Sequence, residues 1–145
     1  MDQAIVEKFS PEKFSRYWPM IEQELKTVHH IWDDIWTLES IFEATGHGRF
    51  QCWGAGDLDH LKVVCWTQIA TYPNGNVLQI FLAIGNGIDE LLPVLDASME
   101  SFARSTECKL IEVVGRRGWQ GKLRSMGFVP WTTSVKREVT DTRVQ

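Results

Sequence analysis

Apolar residues in the first part of the chain recur at helical spacing. Ser10 followed by Pro11 is typical of a helix start, with serine as the N-cap and proline at the first helical position. Pro19 indicates a second start, and Gly46 is a typical stop. The apolar positions that share this spacing are Met20, Ile21, Leu25, Val28, Leu38, Ile41 and Phe42. The pattern therefore predicts that residues 1–46 are mainly helical.

The pattern then changes to one typical of strands. Residues 50–53 form a short apolar fragment that ends in the glycines of 54–56, and residues 61–72 are rich in β-branched and aromatic side chains. The Pro-Asn-Gly-Asn sequence at 73–76 predicts a hairpin turn. Residues 77–84 are nearly all apolar, which favours a central strand covered on both faces.

A long amphipathic helix is predicted next, because apolar residues form a continuous helical stripe from Ile88 to about Ser105. The elements expected after it are a buried strand at 110–114, a turn at 115–118, a short helix at 119–126 that Gly127 closes, and a strand or hairpin arm at 128–139. A strand, a helix and a second buried strand make a βαβ unit with parallel pairing, whereas the upstream hairpins are antiparallel. The fold class predicted is α/β, a mixed sheet with helices on both faces.

Composition narrows the function classes. The chain has 145 residues, which suits one domain over 1–145, with a polar tail at 140–145. Its net charge of −4 gives no electrostatic reason to expect nucleic acid. No apolar run is long enough for a membrane span, and the N-terminus has no secretory signal pattern. Three cysteines without a C-x-x-C pair, and histidines without ligand spacing, predict reduced thiols and no metal site.

The stretch Ile111-Glu112-Val113-Val114-Gly115-Arg116-Arg117-Gly118-Trp119, with Leu123 and Met126-Gly127-Phe128 after it, resembles small GNAT-like proteins of tailed bacteriophages. In that group a strand, a Gly-Arg-x-Gly-Trp turn, a short helix and a glycine with an aromatic residue recur. The element order over about residues 50–139 likewise resembles the GNAT N-acetyltransferase superfamily. The resemblance implies a GNAT-like mixed central sheet flanked by helices.

The resemblance also implies acetyl-CoA as the cofactor. In this fold the cofactor enters where the central strand and its parallel neighbour splay apart, and its pyrophosphate lies on backbone amides of a glycine-rich loop before the long helix. Gly85, Asn86 and Gly87 occupy that loop, and Leu82 stands in the slot of the family's Gln or Arg. A plain structural turn is the favoured interpretation of these residues, and a phosphate cradle is the alternative. If Pro93 forces the helix to begin near 91 or 92, the loop lies too far upstream to serve.

The residues expected for catalysis are missing or replaced. Many members have a tyrosine four residues before the glycine of the Gly-Phe pair, and Leu123 holds that position here. The central strand has no glutamate. Tyr72 and Glu112 are candidates to act in their place, although each also suits a purely structural role, so the catalytic residues stay unknown. Arg116 and Trp119 are candidate contacts to a phosphate or a partner, with a solvated turn and a packing anchor as the alternatives.

Two functions remain open at this point. The preferred hypothesis is a virion-associated or assembly protein of a bacteriophage, with weak or no acetyltransferase activity. Its expected partners are other phage or host proteins, which the seven tryptophans favour, and a homo-oligomer is compatible with the sequence. Its expected location is the host cytoplasm, with incorporation into the virion. The alternative is an acetyl-CoA-dependent N-acetyltransferase with an atypical cofactor loop.

Overall fold

The computed structural model describes residues 6–33, 35–56, 61–85, 88–114 and 123–130, together with Arg137 and Val139. The chain forms two compact units, Met1–Gly115 and Arg116–Gln145. The single domain expected from chain length stays a prediction. None of the helices in the described ranges combines the length and the apolar character that crossing a bilayer requires.

The elements of the first unit follow the predicted order closely. In chain order they are β1 (Val6–Lys8), α1 (Pro11–Thr27), α2 (His29–Trp32), α3 (Leu38–Gly46), β2 (Gln51–Gly56), β3 (Leu61–Tyr72), β4 (Gly75–Gly85), α4 (Ile88–Ser105) and β5 (Cys108–Val113). The long helix and the β3 strand have the predicted bounds. The edge strand β1 was not expected, because three residues are too few for a periodic signal.

The strands form one mixed sheet in the order β1-β2-β3-β4-β5. The first three pairings are antiparallel, and β4 pairs with β5 in parallel. The predicted βαβ unit, with its two strands in the same sheet, is therefore confirmed. The expectation that its second strand is buried is wrong, because no residue of β5 is buried in the described part of the chain.

Helix α1 runs without a break through Pro19, so the second helix start predicted there is wrong. The helix begins as expected, because the Ser10 hydroxyl accepts a hydrogen bond from the Lys13 amide. Proline removes one backbone donor from the helix interior. Burial of one helical face offsets that loss, since Phe14, Ile21 and Leu25 are at most 1% exposed.

Strand β2 continues through Gly54, which was expected to end it. A Cβ atom at this position would lie 2.3 Å from the ring atom Cζ of Phe9. Phe9 follows β1 and donates its amide to the Cys52 carbonyl, and the outer end of its ring lies over Gly54 of β2. Gly54 therefore makes room for an aromatic ring and does not act as a strand stop.

The β3–β4 hairpin is confirmed, but its turn is tighter than expected. Tyr72 pairs with Gly75, so the loop consists of Pro73 and Asn74 alone. The positive φ, 131°, belongs to Gly75 and not to Asn74. Proline presets the negative φ that the first loop residue needs, and glycine accommodates the left-handed backbone that restores the strand.

Two apolar cores lie on opposite faces of the sheet. One packs α1 and α3 against the sheet, with Ile21, Leu25, Ile41, Trp66, Leu82 and Ile84 among its buried members. The other packs α4 against the sheet, with Trp53, Cys65, Leu78, Met99 and Ala103 buried. Adjacent strand residues such as Cys65 and Trp66 enter different cores because successive side chains point to opposite faces. Both faces are therefore covered by helices, as predicted.

In the second unit, Gly127 ends a short helical turn as expected. Phe128 donates its amide to the Leu123 carbonyl and Gly127 donates to the Arg124 carbonyl, which is the Schellman pattern of a helix C-terminus. Gly127 has a φ of 90°. Residues 128–130 are not in a strand, so that part of the predicted arm is wrong. The turn at 115–118 lies outside the described residues.

Candidate functional site

The described pairing of β4 with β5 ends partway along β4. Their parallel pairing runs from Asn76 with Cys108 to Ile80 with Val113. The Val114 amide donates one more hydrogen bond, of 2.8 Å, to the Ile80 carbonyl. Strand β4 then continues over residues 81–85, whose paired partners in the described part of the chain belong to β3 alone. We call this point the fork.

A β-bulge at Phe81 marks the fork. Ile80 pairs with Thr67 and Leu82 pairs with Trp66, which leaves Phe81 as an extra residue in β4. Leu78 belongs to the core beneath α4, whereas Leu82 belongs to the core beneath α1 and α3. The bulge therefore shifts the alternation of β4 side chains between the two sheet faces, at the point where the described pairing with β5 ends.

An aromatic cluster covers this bulge on the α1 and α3 face. The Phe81 ring lies 4.7 Å from the Phe50 ring and 5.5 Å from the Trp36 ring, measured between centroids. Trp36 comes from the connection between α2 and α3, and its neighbour Ile35 is 75% exposed. The α2–α3 connection is thus held against the sheet beside the fork.

Helix α4 begins at Ile88, directly after the glycine-containing loop. The conditional start near 91 or 92 is wrong, because Pro93 lies inside the helix. Free amides and the positive end of the helix dipole are therefore close in sequence to Gly85. Asn86 and Gly87 lie outside the described residues, so their predicted contact with a cofactor stays a prediction.

The two described residues of the predicted cofactor loop have structural roles. Gly85 has a φ of 123°, and a Cβ atom there would lie 2.3 Å from the Lys62 carbonyl oxygen on β3. Glycine is thus required at 85 for strand pairing, whether or not a cofactor binds. The Leu82 side chain is 4% exposed in the core beneath α1 and α3. A role of Leu82 in binding would therefore come from its backbone.

A row of polar side chains crosses three strands one residue before the fork. Gln68 on β3 donates from Nε2 to Oε1 of Gln79 on β4 over 2.6 Å. Gln79 donates from Nε2 to Oε1 of Glu112 on β5, also over 2.6 Å. A carboxylate only accepts, so Glu112 determines the orientation of both amides. We call these three side chains the polar row.

The polar row lies on the α1 and α3 face, because Gln79 alternates with Leu78 and Ile80 of the other core. All three of its side chains are half-buried. In the described part of the chain, no residue donates a hydrogen bond to Oε2 of Glu112. The row therefore presents one carboxylate oxygen at the fork.

The remaining candidate residues do not all lie near the polar row. Tyr72 lies four residues beyond Gln68 along β3, roughly 13 Å away at 3.3 Å per residue and toward the hairpin, and it is 47% exposed. Leu123 has no titratable group and cannot replace the family's tyrosine. Arg116 and Trp119 lie outside the described residues.

Sequence reasoning named Glu112 but missed Gln68, Gln79 and Phe81. One signal was present, since Gln79 is the polar residue inside the nearly apolar run 77–84. A glutamine at the centre of a covered strand needs a hydrogen-bonding partner. Identifying that partner required the strand order.

Several solved structures that are similar to this chain are named as acetyltransferases. The chain superposes on an aminoglycoside acetyltransferase from an uncultured soil metagenomic sample with a TM-score of 0.66 and 12% identity, over 96% of this chain and 97% of that one. A probable acetyltransferase gives a TM-score of 0.69 at 12% identity, over 94% and 98% of the two chains. An acetyltransferase of Trypanosoma brucei gives 0.66 at 9% identity, over 94% and 100%.

Sequence comparison adds nothing to these structural similarities, because neither a protein-family model nor a curated protein matches the chain. At 9–12% identity, the similarity to these solved structures is evidence for the fold alone. The sheet order, the parallel β4–β5 pair and the helix that connects them agree with that relationship. The protein therefore has the GNAT acetyltransferase fold, with a mixed sheet flanked by helices, five strands of which lie in the described residues.

Proposed function

We propose that this protein binds acetyl-CoA at the fork and transfers the acetyl group to an amine. The observation that carries the proposal is that the described β4–β5 pairing ends at Ile80 and Val113, whereas β4 continues to Gly85. In a strand, alternate residues direct their backbone N–H and C=O groups to the same side, so part of 81–85 is directed away from β3. Those groups are available to an extended ligand that adds to the sheet as a strand does.

The residues present fit the cofactor at two places. The backbone of residues 81–85 matches the hydrogen-bonding needs of an amide-containing pantetheine arm. The N-terminus of α4, at Ile88, is suited to a pyrophosphate through its free amides and helix dipole. Bound acetyl-CoA would supply a thioester as the acetyl donor.

Glu112 is the residue proposed to take the proton from the amine. The bound ammonium must first give one proton to Glu112, because only a neutral amine has a lone pair for attack. Attack on the thioester then forms a C–N bond, breaks the C–S bond and releases a second proton from the nitrogen, which balances the proton that the departing sulfur takes up. Oε1 of Glu112 is occupied by Gln79, which leaves Oε2 to accept the first proton. Leu123 cannot donate a proton to the departing sulfur, so water must supply it. A slow reaction is expected for that reason.

Calorimetric titration with acetyl-CoA tests the binding step. We expect a dissociation constant in the micromolar range for the wild-type chain, about −8 kcal/mol. Gly87→Trp should weaken binding about tenfold or more, because a bulky side chain would fill the loop before α4. Gly46→Trp is the matched control, since a Cβ atom there meets nothing within 4 Å. Absence of binding by the wild-type chain would overturn the proposal.

The second candidate function is the virion-associated or assembly role in a bacteriophage. The resemblance of residues 111–128 supports it, as does Leu123 in place of the acid. This role predicts acetyl-CoA binding without turnover, or no binding, together with co-purification of the protein with phage particles. If the protein releases free CoA from acetyl-CoA in the presence of a simple amine, a virion or assembly role without acetyltransferase activity is contradicted.

A further inference from the structure

We infer that the acceptor is an amine with a single positive charge on an apolar carbon skeleton. The inference rests on the proposed function and names the acceptor for the same site. Three features of the fork support it: the number of carboxylates, the side chains beside Glu112, and the aromatic cluster beside the polar row.

Glu112 is the only acidic residue in strands β2, β3, β4 and β5, all of which the structure describes. An ammonium group that docks at the fork therefore finds one carboxylate on these four strands. Each further ammonium of a polycationic acceptor would lose water without gaining an opposite charge from the sheet, which is unfavourable. The charge of the sheet thus favours a monoamine.

The side chains next to Glu112 on β5 are apolar and exposed. Leu110 precedes it by two residues on the same strand face and is 41% exposed. Val114 follows it by two residues and is 49% exposed. Apolar surface on both sides of a charged group suits a ligand whose ammonium is attached to a hydrocarbon. The ammonium then pairs with the carboxylate, and the hydrocarbon contacts the apolar side chains.

Aromatic rings lie beside the polar row on β4, the strand next to β5. Phe81 follows Gln79 by two residues on β4, about 7 Å along the strand, and it packs against Trp36. Gln79 joins the Glu112 carboxylate to the strand that carries Phe81. A carbon skeleton that extends from the ammonium toward β4 would therefore meet aromatic surface.

Acetyl transfer by the full chain can be measured as thiol release with phenethylamine, spermidine and kanamycin as acceptors. We expect kcat/KM for phenethylamine to exceed that for the two polycations at least about tenfold. Glu112→Gln should raise the KM for phenethylamine about tenfold or more and leave the Kd for acetyl-CoA unchanged. Glu100→Gln on α4, whose partner is the exposed Arg104, is the control and should change neither value.

Leu110→Glu provides an independent test, because an exposed leucine tolerates a charge. A second carboxylate beside Glu112 should shift the ratio of kcat/KM values about fivefold or more toward spermidine. Preference of the wild-type enzyme for a polycation, or an unchanged phenethylamine KM in Glu112→Gln, would overturn this inference alone. Failure of the wild-type chain to bind acetyl-CoA, or to acetylate any of the three amines, would overturn the proposed function.

Discussion

Gln79 and Glu112 are 33 residues apart in sequence, yet their side chains are joined by a 2.6 Å hydrogen bond across the β4–β5 pair. Gln79 also accepts from Gln68, so it connects three strands through one amide. The bond lies one residue before the described pairing of β4 with β5 ends. The Gln79 side chain therefore contributes both to the pairing of the strands and to the position of the carboxylate that is proposed to take the proton.

Gln79→Glu should make stability depend on pH. The introduced carboxylate would lie next to that of Glu112, and repulsion between the two raises their pKa values in the folded state. Because the pKa values are raised in the folded state, the stability of the variant relative to the wild type is highest below about pH 4, where both groups are protonated, and falls as pH rises. We expect a loss of about 1–2 kcal/mol at pH 7 in urea unfolding. Gln23→Glu, at an exposed position of α1, should change stability by less than about 0.5 kcal/mol.

Gly85→Ala should destabilise the protein in the absence of any ligand. The new Cβ atom would lie 2.3 Å from the Lys62 carbonyl oxygen, and the φ of 123° is strained for alanine. The expected loss is roughly 2–4 kcal/mol in thermal or urea unfolding. Gly46→Ala is the matched control and should be neutral or stabilising by up to about 1 kcal/mol, because position 46 is helical and open. Equal stability of the two variants would contradict the close approach of β3 to β4.

Thr67→Val should destabilise the protein, because it removes the middle member of a chain of hydrogen-bonded side chains beneath α4. The Thr67 hydroxyl accepts from Trp53 Nε1 over 3.0 Å and donates to Gln51 Oε1 over 2.9 Å, and Thr67 is completely buried. Valine has a similar shape but leaves both partners unpaired, which should cost about 1–3 kcal/mol. Thr71→Val, exposed on the same strand, should change the free energy of unfolding by less than about 0.5 kcal/mol.

The cysteines should differ in reactivity in the folded protein. Burial raises the pKa of the Cys65 thiol to about 12, and burial together with Cys65 raises the pKa of Cys52 well above its ordinary value. A thiol reagent near pH 8 should therefore modify Cys108, which is half-buried, and spare the other two until the chain is unfolded. Rapid modification of Cys52 or Cys65 in the folded protein would contradict the packing of β2 against β3.

The same thiols predict a loss of stability in alkali. In the unfolded chain a cysteine ionises around its ordinary pKa of 9.0, whereas Cys65 in the folded chain ionises at about 12. Above pH 9 the unfolded state therefore releases a proton that the folded state retains, and stability falls as pH rises from 9 toward 12. Urea unfolding of Cys65→Ala should show a smaller decline over this range, although the variant starts from a lower stability.

The sequence by itself determined the local elements. The helical stripe after Ile88 gave α4 its bounds, the β-rich run gave β3, and the Gly127 end was recognisable, because periodicity and capping are properties of neighbouring residues. Pro19 and Gly54 misled the same reasoning. Each is a local stop signal that tertiary packing overrode, through the buried face of α1 in one case and the Phe9 ring in the other.

Only the tertiary structure decided the site. The bulge at Phe81, the end of β4–β5 pairing at Ile80 and the polar row each depend on which strands lie side by side. Gln68, Gln79 and Glu112 carry no spacing that a periodic pattern could detect, since strand pairing brings them together from separate parts of the chain. Strand register is a long-range property, set by the packing of both sheet faces against helices, and short-range sequence patterns do not contain it.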